Sequence, residues 1–123
     1  MTIQKSVIVG LGEILWDLFP DGAKFGGAPA NFACSAAGLA RDAAEVLVVS
    51  AVGNDELGDK AIASLQDHRV DTGAVQRLDN PTGSVAIELD DEGKASYRFA
   101  DNTAWDNLVW SDDLAGIASR CDA

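Results

Sequence analysis

The chain has 123 residues, about the length of one domain, and its 47% hydrophobic and 24% charged residues are typical of a globular protein. Its formal net charge of −11 argues against a nucleic-acid surface, which would require a basic face. Because no apolar run reaches the roughly 18 residues of a membrane span, and the first residues do not have the pattern of a secretory leader, we expect a cytoplasmic protein without membrane contact.

The first predicted element is a buried strand over residues 6–12, whose β-branched residues suit a parallel sheet. Residues 13–19 are predicted to continue it up to the turn signal at residues 20–22 (Pro-Asp-Gly). Asp17 lies in this otherwise apolar stretch, where burial of an unpaired carboxylate is costly. It therefore requires either a structural hydrogen-bonding partner or a wet cleft in which it accepts hydrogen bonds from ligand hydroxyls.

Residues 25–31 (Phe-Gly-Gly-Ala-Pro-Ala-Asn) are predicted to form a turn that leads into a helix. The two glycines let the backbone lie close to another molecule, and Pro29 favours the start of a helix. Asn31 falls in the first helical turn, from which its amide can point back across the glycines. The segment is a candidate site for a small polar ligand, and a turn that needs glycine for steric reasons alone is the alternative.

The middle of the chain alternates between helices and strands. Small residues at helical spacing predict a helix over residues 29–41, and an apolar run predicts a buried strand over residues 46–52. Asp55 is predicted to cap a second helix that ends near His68, and residues 70–78 to form a weaker third strand. This alternation is typical of an open α/β sheet.

A β-hairpin is predicted from residue 82 to residue 100, because two alternating segments flank the polar turn at residues 90–93. Its apolar residues recur at every second position and therefore share faces: Val85, Ile87 and Leu89 on the first strand, and Tyr97 and Phe99 on the second. Such a face has to cover the sheet, a ligand or a second subunit. Ser111 is predicted to cap a short helix after the hairpin.

Several common site motifs do not occur in this sequence. Residues 10–12 (Gly-Leu-Gly) follow a strand, but Leu15 stands where a dinucleotide fingerprint requires its third glycine. There is no Gly-Lys-Ser/Thr phosphate loop and no serine nucleophile elbow. Cys34 and Cys121 belong to no metal-ligand pattern, so no metal site is expected.

Four motifs together are more specific than any one of them: Gly12-Glu13-Ile14-Leu15-Trp16-Asp17, Gly26-Gly27-Ala28-Pro29-Ala30-Asn31, Gly53-Asn54-Asp55-Glu56-Leu57-Gly58 and the Thr82-Gly83 hairpin. In this combination the chain resembles, over its whole length, the ribokinase (PfkB) family of carbohydrate kinases, and within it the bacterial fructokinases. The resemblance implies a Rossmann-like α/β ribokinase fold, in which helices flank a parallel sheet. It also implies a small β-sheet lid, with lid elements at about residues 13–26 and 82–104.

The resemblance further implies a sugar site. Asp17 would accept hydrogen bonds from sugar hydroxyls, and Asn31 would contribute its side-chain amide. Gly26 and Gly27 would form the floor under the sugar, with the backbone of Gly27 and Ala28 facing it. The apolar underside of the lid would come from Val85, Ile87 and Phe99.

The substrate and cofactors are also implied by the resemblance. In ribokinases an Asn precedes the sugar-binding aspartate by two positions, and Leu15 in its place favours a hexose such as fructose. ATP and Mg²⁺ are implied for the full-length enzyme.

The family's Gly-Ala-Gly-Asp stretch, which carries the catalytic base, has no match here. Residues 1–123 are therefore expected to be the N-terminal part of a single kinase domain that lacks the ATP-binding part, with the base beyond Ala123. We expect this part to bind neither ATP nor metal and to be inactive alone.

Two alternatives remain open. One is a kinase for a nucleoside or a 2-keto-3-deoxy sugar acid; the acid would need a cation, and Arg98 is the candidate, although strand alternation predicts that it faces away from the Phe99 side. The other is a non-catalytic sugar-binding or assembly module that uses Asp17 and Asn31 without meeting ATP. Because lids in this family often pair between subunits, the resemblance also implies a homodimer through the lid.

Overall fold

The computed structural model describes residues 4–123. In chain order its elements are β1 (Ser6–Leu11), β2 (Leu15–Phe19), β3 (Gly22–Gly26), α1 (Ala28–Ala40), β4 (Ala44–Gly53), α2 (Glu56–Asp67), β5 (Val75–Leu78), β6 (Gly83–Leu89), β7 (Ala95–Phe99) and α3 (Asp112–Arg120). Single 3₁₀ turns lie at Arg41–Ala43 and Trp105–Asn107. The two long helices, the strand between them, the hairpin and the helix capped by Ser111 are confirmed close to their predicted bounds.

The strands form two sheets. The first is parallel, in the order β1-β4-β5, and the second has four strands in the order β3-β2-β6-β7. In this four-stranded sheet the central pair β2 and β6 is parallel, while each outer strand runs antiparallel to its neighbour. The predicted α/β class, with helices flanking a parallel sheet and a smaller β-sheet beside it, is confirmed.

The prediction that residues 13–19 continue the first strand was wrong. The chain leaves the parallel sheet at Gly12, whose φ of 134° is rarely adopted by other residues. It re-enters extended structure as β2, in the other sheet. The third strand is also shorter than predicted: the backbone turns at residues 72–74, just after Asp71, which accepts a hydrogen bond from the backbone N–H of Gly73, and β5 begins at Val75.

The main core lies where α1 and α2 pack on one face of the parallel sheet. Val46, Val48 and Val52 alternate along β4 and contact a hydrophobic cluster that includes Ala33 of α1 and Leu65 of α2. The small side chains of α1 allow a close approach to β1. A Cβ on Gly10 would lie 2.6 Å from the backbone oxygen of Pro29, so this glycine is explained by helix packing and not by nucleotide binding.

Gly38 offers a test of helix propensity without packing changes. It lies inside α1, and a Cβ placed on it would meet no heavy atom within 4 Å. Gly38→Ala is therefore expected to raise the free energy of unfolding by about 0.5–1 kcal/mol, because alanine loses less backbone entropy in a helix. Urea unfolding monitored by circular dichroism measures this. A decrease would mean that the glycine is needed for a contact at this surface.

Candidate functional site

Asp17 lies in the middle of β2, on the open face of the four-stranded sheet. Its register partners are Lys24 on β3 and Val85 on β6, and residues paired in this way share a face. One carboxylate oxygen of Asp17 points toward Gly26, since a Cβ on that glycine would lie only 3.1 Å from it. The structure therefore brings Asp17, Gly26 and Val85 together.

The glycine turn joins this face to α1. Gly27 is the N-cap residue of α1 and has a φ of 102°, and a Cβ there would lie 2.7 Å from the backbone oxygen of Glu13. The backbone N–H of Ala28 points toward the side chain of Glu13, with 3.4 Å between the nitrogen and the carboxylate oxygen. Asn31 is exposed in the first turn of the helix, and its backbone N–H donates to the oxygen of Gly27 at 2.9 Å. This turn needs glycine for steric reasons. Gly26 and Gly27 are buried within it, while Ala28 and Asn31 are exposed at the edge of the sheet.

The apolar part of the same face lies on the hairpin. Leu15, Val85 and Ile87 form a small buried cluster, and Phe99 pairs with Val85 across the ladder. Three neighbouring hydrophobic residues on the outer part of the hairpin are largely exposed: Leu89 (60%), Tyr97 (64%) and Phe99 (61%). Val85, Ile87 and Phe99 thus share the face of Asp17, with Val85 and Ile87 buried and Phe99 open.

Arg98 does not join this face. It pairs with Ala86 on the opposite face and lies 3.9 Å from the carboxylate of Glu88, as alternation predicted. Lys24, which the sequence reasoning missed, does join it: its ammonium sits 4.9 Å from the centre of the Phe19 ring, a cation–π contact. The turn signal at residues 20–22 could have indicated a hairpin of β2 and β3. In that hairpin Lys24 lies opposite Asp17.

A cavity of about 350 Å³ adjoins the site face at the end of β7. Its lining combines apolar and polar side chains, among them Glu13, Leu15, Phe99, Asn102, Thr103 and Trp105. The loop that forms its far wall is fixed, because Thr103 donates two hydrogen bonds to Asp106 and Asn107 donates to Asn102 at 2.9 Å. Residues 101–107 are mostly polar and include one aromatic residue, Trp105, a composition with no local signal of a cavity. This mixture of aromatic and hydrogen-bonding groups suits a small polyhydroxylated ligand.

A second cavity, of about 400 Å³, lies between α3 and the parallel sheet, away from Asp17. Its lining is almost entirely apolar and includes Val9, Leu11, Trp110, Leu114 and Ile117. It offers hydroxyl groups little to bind.

Within residues 4–123, no three His, Cys, Asp or Glu side chains converge to hold a metal ion. Over the same residues, no helix is long and apolar enough to cross a membrane.

Asp55 lies at the start of α2, where its carboxylate accepts hydrogen bonds from the backbone N–H of Gly58 and from the backbone N–H and hydroxyl of Thr82. Burial alone would raise the pKa of Asp55, but hydrogen bonds from Thr82 and from the backbone of Gly58, together with the charge of Arg77, outweigh it and hold the pKa below its ordinary 3.8. The ionised carboxylate is therefore favoured by the folded state.

This pKa shift predicts an acid-dependent stability. Because the folded-state pKa is lowered, the stabilisation from Asp55 is complete above about pH 4 and is lost as the pH falls through the folded-state value. The difference in unfolding free energy between the parent chain and Asp55→Asn should accordingly shrink between pH 7 and pH 3, since the protonated carboxyl comes to resemble the amide. Urea titrations at both pH values measure it, with Asp21→Asn in the exposed β2–β3 turn as control. A difference that stays constant over this range would contradict the expectation.

The comparisons with known proteins agree with the motifs. The sequence profile of the pfkB family carbohydrate kinases matches residues 22–115. The chain belongs to this family. The fructokinase of Salmonella typhimurium is 31% identical over 115 residues, which are 89% of this chain and 36% of that enzyme. The ATP-dependent 6-phosphofructokinase of Thermoanaerobacterium thermosaccharolyticum is 33% identical over 92 residues, 73% of this chain and 26% of that one.

A solved structure of this family matches the fold. The fructokinase of Xylella fastidiosa with bound ATP superposes with a TM-score of 0.74 and 30% sequence identity, over 93% of this chain and 37% of that one. The predicted membership of the PfkB family and the predicted ribokinase-type fold are thus confirmed. The chain spans between a quarter and two fifths of the length of these three relatives.

Proposed function

We propose that the chain is the sugar-binding part of an ATP-dependent kinase that phosphorylates a hydroxyl of fructose or a related hexose. The observation that carries the proposal is the open face on which Asp17 lies beside the glycine turn and the apolar residues of the hairpin. A carboxylate accepts hydrogen bonds from two neighbouring hydroxyls at once, which suits a sugar. Membership of a family of carbohydrate kinases supports this use of the face.

The other site residues have complementary roles in this proposal. The backbone at Gly26, Gly27 and Ala28 forms the floor, and the Asn31 amide donates to or accepts from a sugar hydroxyl. The four-stranded sheet acts as a lid, in which Val85, Ile87 and Phe99 cover the apolar side of the sugar and exclude water. Exclusion of water favours transfer to the sugar over hydrolysis of ATP.

In this proposal the start of α1 does not hold the phosphates of ATP. The start of α1 is the natural place for an anion, but the Glu13 carboxylate already faces the backbone N–H of Ala28 there. A second negative group would be repelled. We therefore propose that ATP, Mg²⁺ and the catalytic base belong to the part of the relatives' length that this chain does not span.

A sugar screen tests the proposal. Fructose is expected to raise the melting temperature of the chain by an amount that grows with the logarithm of its concentration above the dissociation constant, and ribose to raise it less, because Leu15 offers no hydrogen bond where ribokinases carry an Asn. A coupled ADP assay on the same sample should show no turnover. The absence of any sugar-dependent shift would contradict sugar binding, and clear turnover would contradict the assignment of the base to residues outside the chain.

A kinase for an anionic sugar is a second candidate, and Lys24 favours it. Its ammonium lies on the Asp17 face, whereas Arg98 lies on the other. If the substrate carries a carboxylate or phosphate, Lys24→Gln should weaken its binding about tenfold by removing an exposed charge partner, while fructose binding stays unchanged. Isothermal titration with fructose, fructose 6-phosphate and 2-keto-3-deoxygluconate measures this. Lys94→Gln, at the β6–β7 turn, is the matched control; an equal loss for all three ligands would contradict a charge-specific role.

We further propose that the lid mediates a homodimer. Leu89, Tyr97 and Phe99 leave an exposed apolar edge next to the buried cluster, and an edge of this kind favours a partner surface of the same composition. Light scattering at high concentration should give the mass of two chains, and Leu89→Ser with Tyr97→Ser should return the mass of one. A parent chain that remains monomeric would contradict the dimer.

A further inference from the structure

Thr82 marks the point where the chain enters the four-stranded sheet, and it is bonded to the start of α2. Its side chain is buried, with 3% exposed. The hydroxyl donates to one carboxylate oxygen of Asp55 at 2.5 Å and accepts from the backbone N–H of Gly53 at 2.9 Å. Its backbone N–H donates to the other oxygen of Asp55, also at 2.9 Å. The hydroxyl and the backbone N–H of Thr82 therefore both bind the carboxylate of Asp55.

Asp55 does more than cap a helix. As the N-cap residue of α2 it accepts a hydrogen bond from the backbone N–H of Gly58 at 2.8 Å, and one acceptor oxygen is enough for that task. The two additional bonds to Thr82 lie outside the helix and span 27 positions of the chain. They link the start of α2 to the start of β6.

The backbone around this link is closely packed. A Cβ on Gly53 would lie 2.8 Å from the backbone nitrogen of Thr82, and a Cβ on Gly83 would lie 2.6 Å from the backbone oxygen of Ile14. Both distances are shorter than a Cβ tolerates, so the two glycines are sterically required. The four-stranded sheet thus begins at a point that is fixed by contact on two sides.

A second tie connects the same helix turn to the neighbouring strand. The indole N–H of Trp16, on β2, donates to the backbone oxygen of Leu57 at 3.0 Å, and the Trp16 side chain is 7% exposed. Both central strands of the four-stranded sheet, β2 and β6, are therefore attached to the first turn of α2. The helix start serves as a common reference for the two strands that carry Asp17 and Val85.

We propose that Asp55 and Thr82 are positioning residues that hold β6 in register with β2 and so fix the apolar side of the site against Asp17. The inference rests on the proposed sugar site. The register pairs Leu15 with Gly83 and Asp17 with Val85, immediately after the anchor. Val85 lies three residues beyond Thr82, about 10 Å along an extended strand, so a loosened anchor displaces it directly.

Two variants separate the anchor from the helix cap. Asp55→Ser keeps a good N-cap residue but is too short to reach Thr82, and Thr82→Val keeps the shape while it removes the hydroxyl. Ser111→Ala is the control, because it removes the hydrogen bond that caps α3, which is not part of either sheet. Each anchor variant loses two hydrogen bonds and the control loses one, but only the first two variants touch the anchor.

Hydrogen exchange and fructose titration are measured on the same samples. Both anchor variants are expected to raise the exchange rates of the Val85 and Ile87 amides about tenfold relative to those of β4, and to weaken fructose binding by a similar factor, the equivalent of about one lost hydrogen bond. Ser111→Ala should change neither the exchange rates in β6 relative to β4 nor the affinity for fructose.

The outcomes are distinct. Exchange in β6 that rises no more than in the control would overturn the anchor, and so would intact fructose affinity in variants whose β6 exchange has risen. A parent chain that binds no sugar would instead refute the proposed function, and the exchange ratio would still decide whether Asp55 and Thr82 hold the register of β6.

Discussion

Asp17→Ala is expected to abolish the rise in melting temperature that fructose produces in the parent chain. Asp17 lies half-buried on the open face of the four-stranded sheet and takes no part in any of the ion pairs found among residues 4–123. A carboxylate that accepts two hydrogen bonds from sugar hydroxyls contributes about 1.5–3 kcal/mol for each, so its loss weakens binding by at least about 100-fold. Thermal shift at a fixed fructose concentration measures the effect.

The unliganded stability of the same variant distinguishes a binding role from a structural one. If Asp17 serves the ligand, the melting temperature without sugar should change little, as for most substitutions at partly exposed sites. Asp21→Ala, which removes an exposed carboxylate from the β2–β3 turn, should leave both the stability and the fructose shift unchanged. Strong destabilisation together with a retained fructose shift would mean that the carboxylate is structural.

Gly27→Ala is expected to give the largest loss of stability of any single methyl addition at the site. The backbone of Gly27 has a φ of 102°, and the added Cβ would lie 2.7 Å from the oxygen of Glu13. Strain of this kind costs about 1–3 kcal/mol before any displacement of the turn is counted. Urea unfolding measures it, and Gly38→Ala provides the same chemical change where space is free. A loss below about 0.5 kcal/mol would show that the turn adapts without cost.

Local patterns predicted most of the elements because each depends on residues close in sequence. The alanine spacing of α1, the apolar run of β4 and the Asp55 and Ser111 caps all appear as predicted. Alternation along the second strand of the hairpin also placed Arg98 on the face opposite Phe99. The motif combination carried the family, which the comparisons confirm.

What the sequence could not supply is the pairing of distant segments. Residues 6–19 looked like one strand because periodicity does not report which sheet a strand joins, and only the φ of Gly12 separates the two halves. The parallel pairing of β2 with β6 joins segments that lie far apart in the sequence, as the pair Asp17 and Val85 shows. That pairing depends on the tie between Asp55 and Thr82 and on packing around Gly83, neither of which has a local signal.

The arrangement of the candidate site residues could be anticipated only in part. Asp17 and the glycine turn follow one another along the chain, so their proximity was accessible from the sequence. Lys24 escaped notice because β3 is short and contains two glycines, which weaken a strand pattern. The cavity next to Phe99 was missed because its walls come from three separate segments.

Sugar binding by the open face of the four-stranded sheet is tested most directly by a fructose titration of the ¹⁵N-labelled chain followed by NMR. We expect saturable chemical-shift changes in the backbone amides of the site: Asp17, Gly26, Gly27, Ala28, Asn31, Val85, Ile87 and Phe99. Amides around the apolar cavity beside α3, such as those of Leu114 and Ile117, should stay unchanged. Changes confined to that cavity, or no saturable change with any hexose, would contradict the claim.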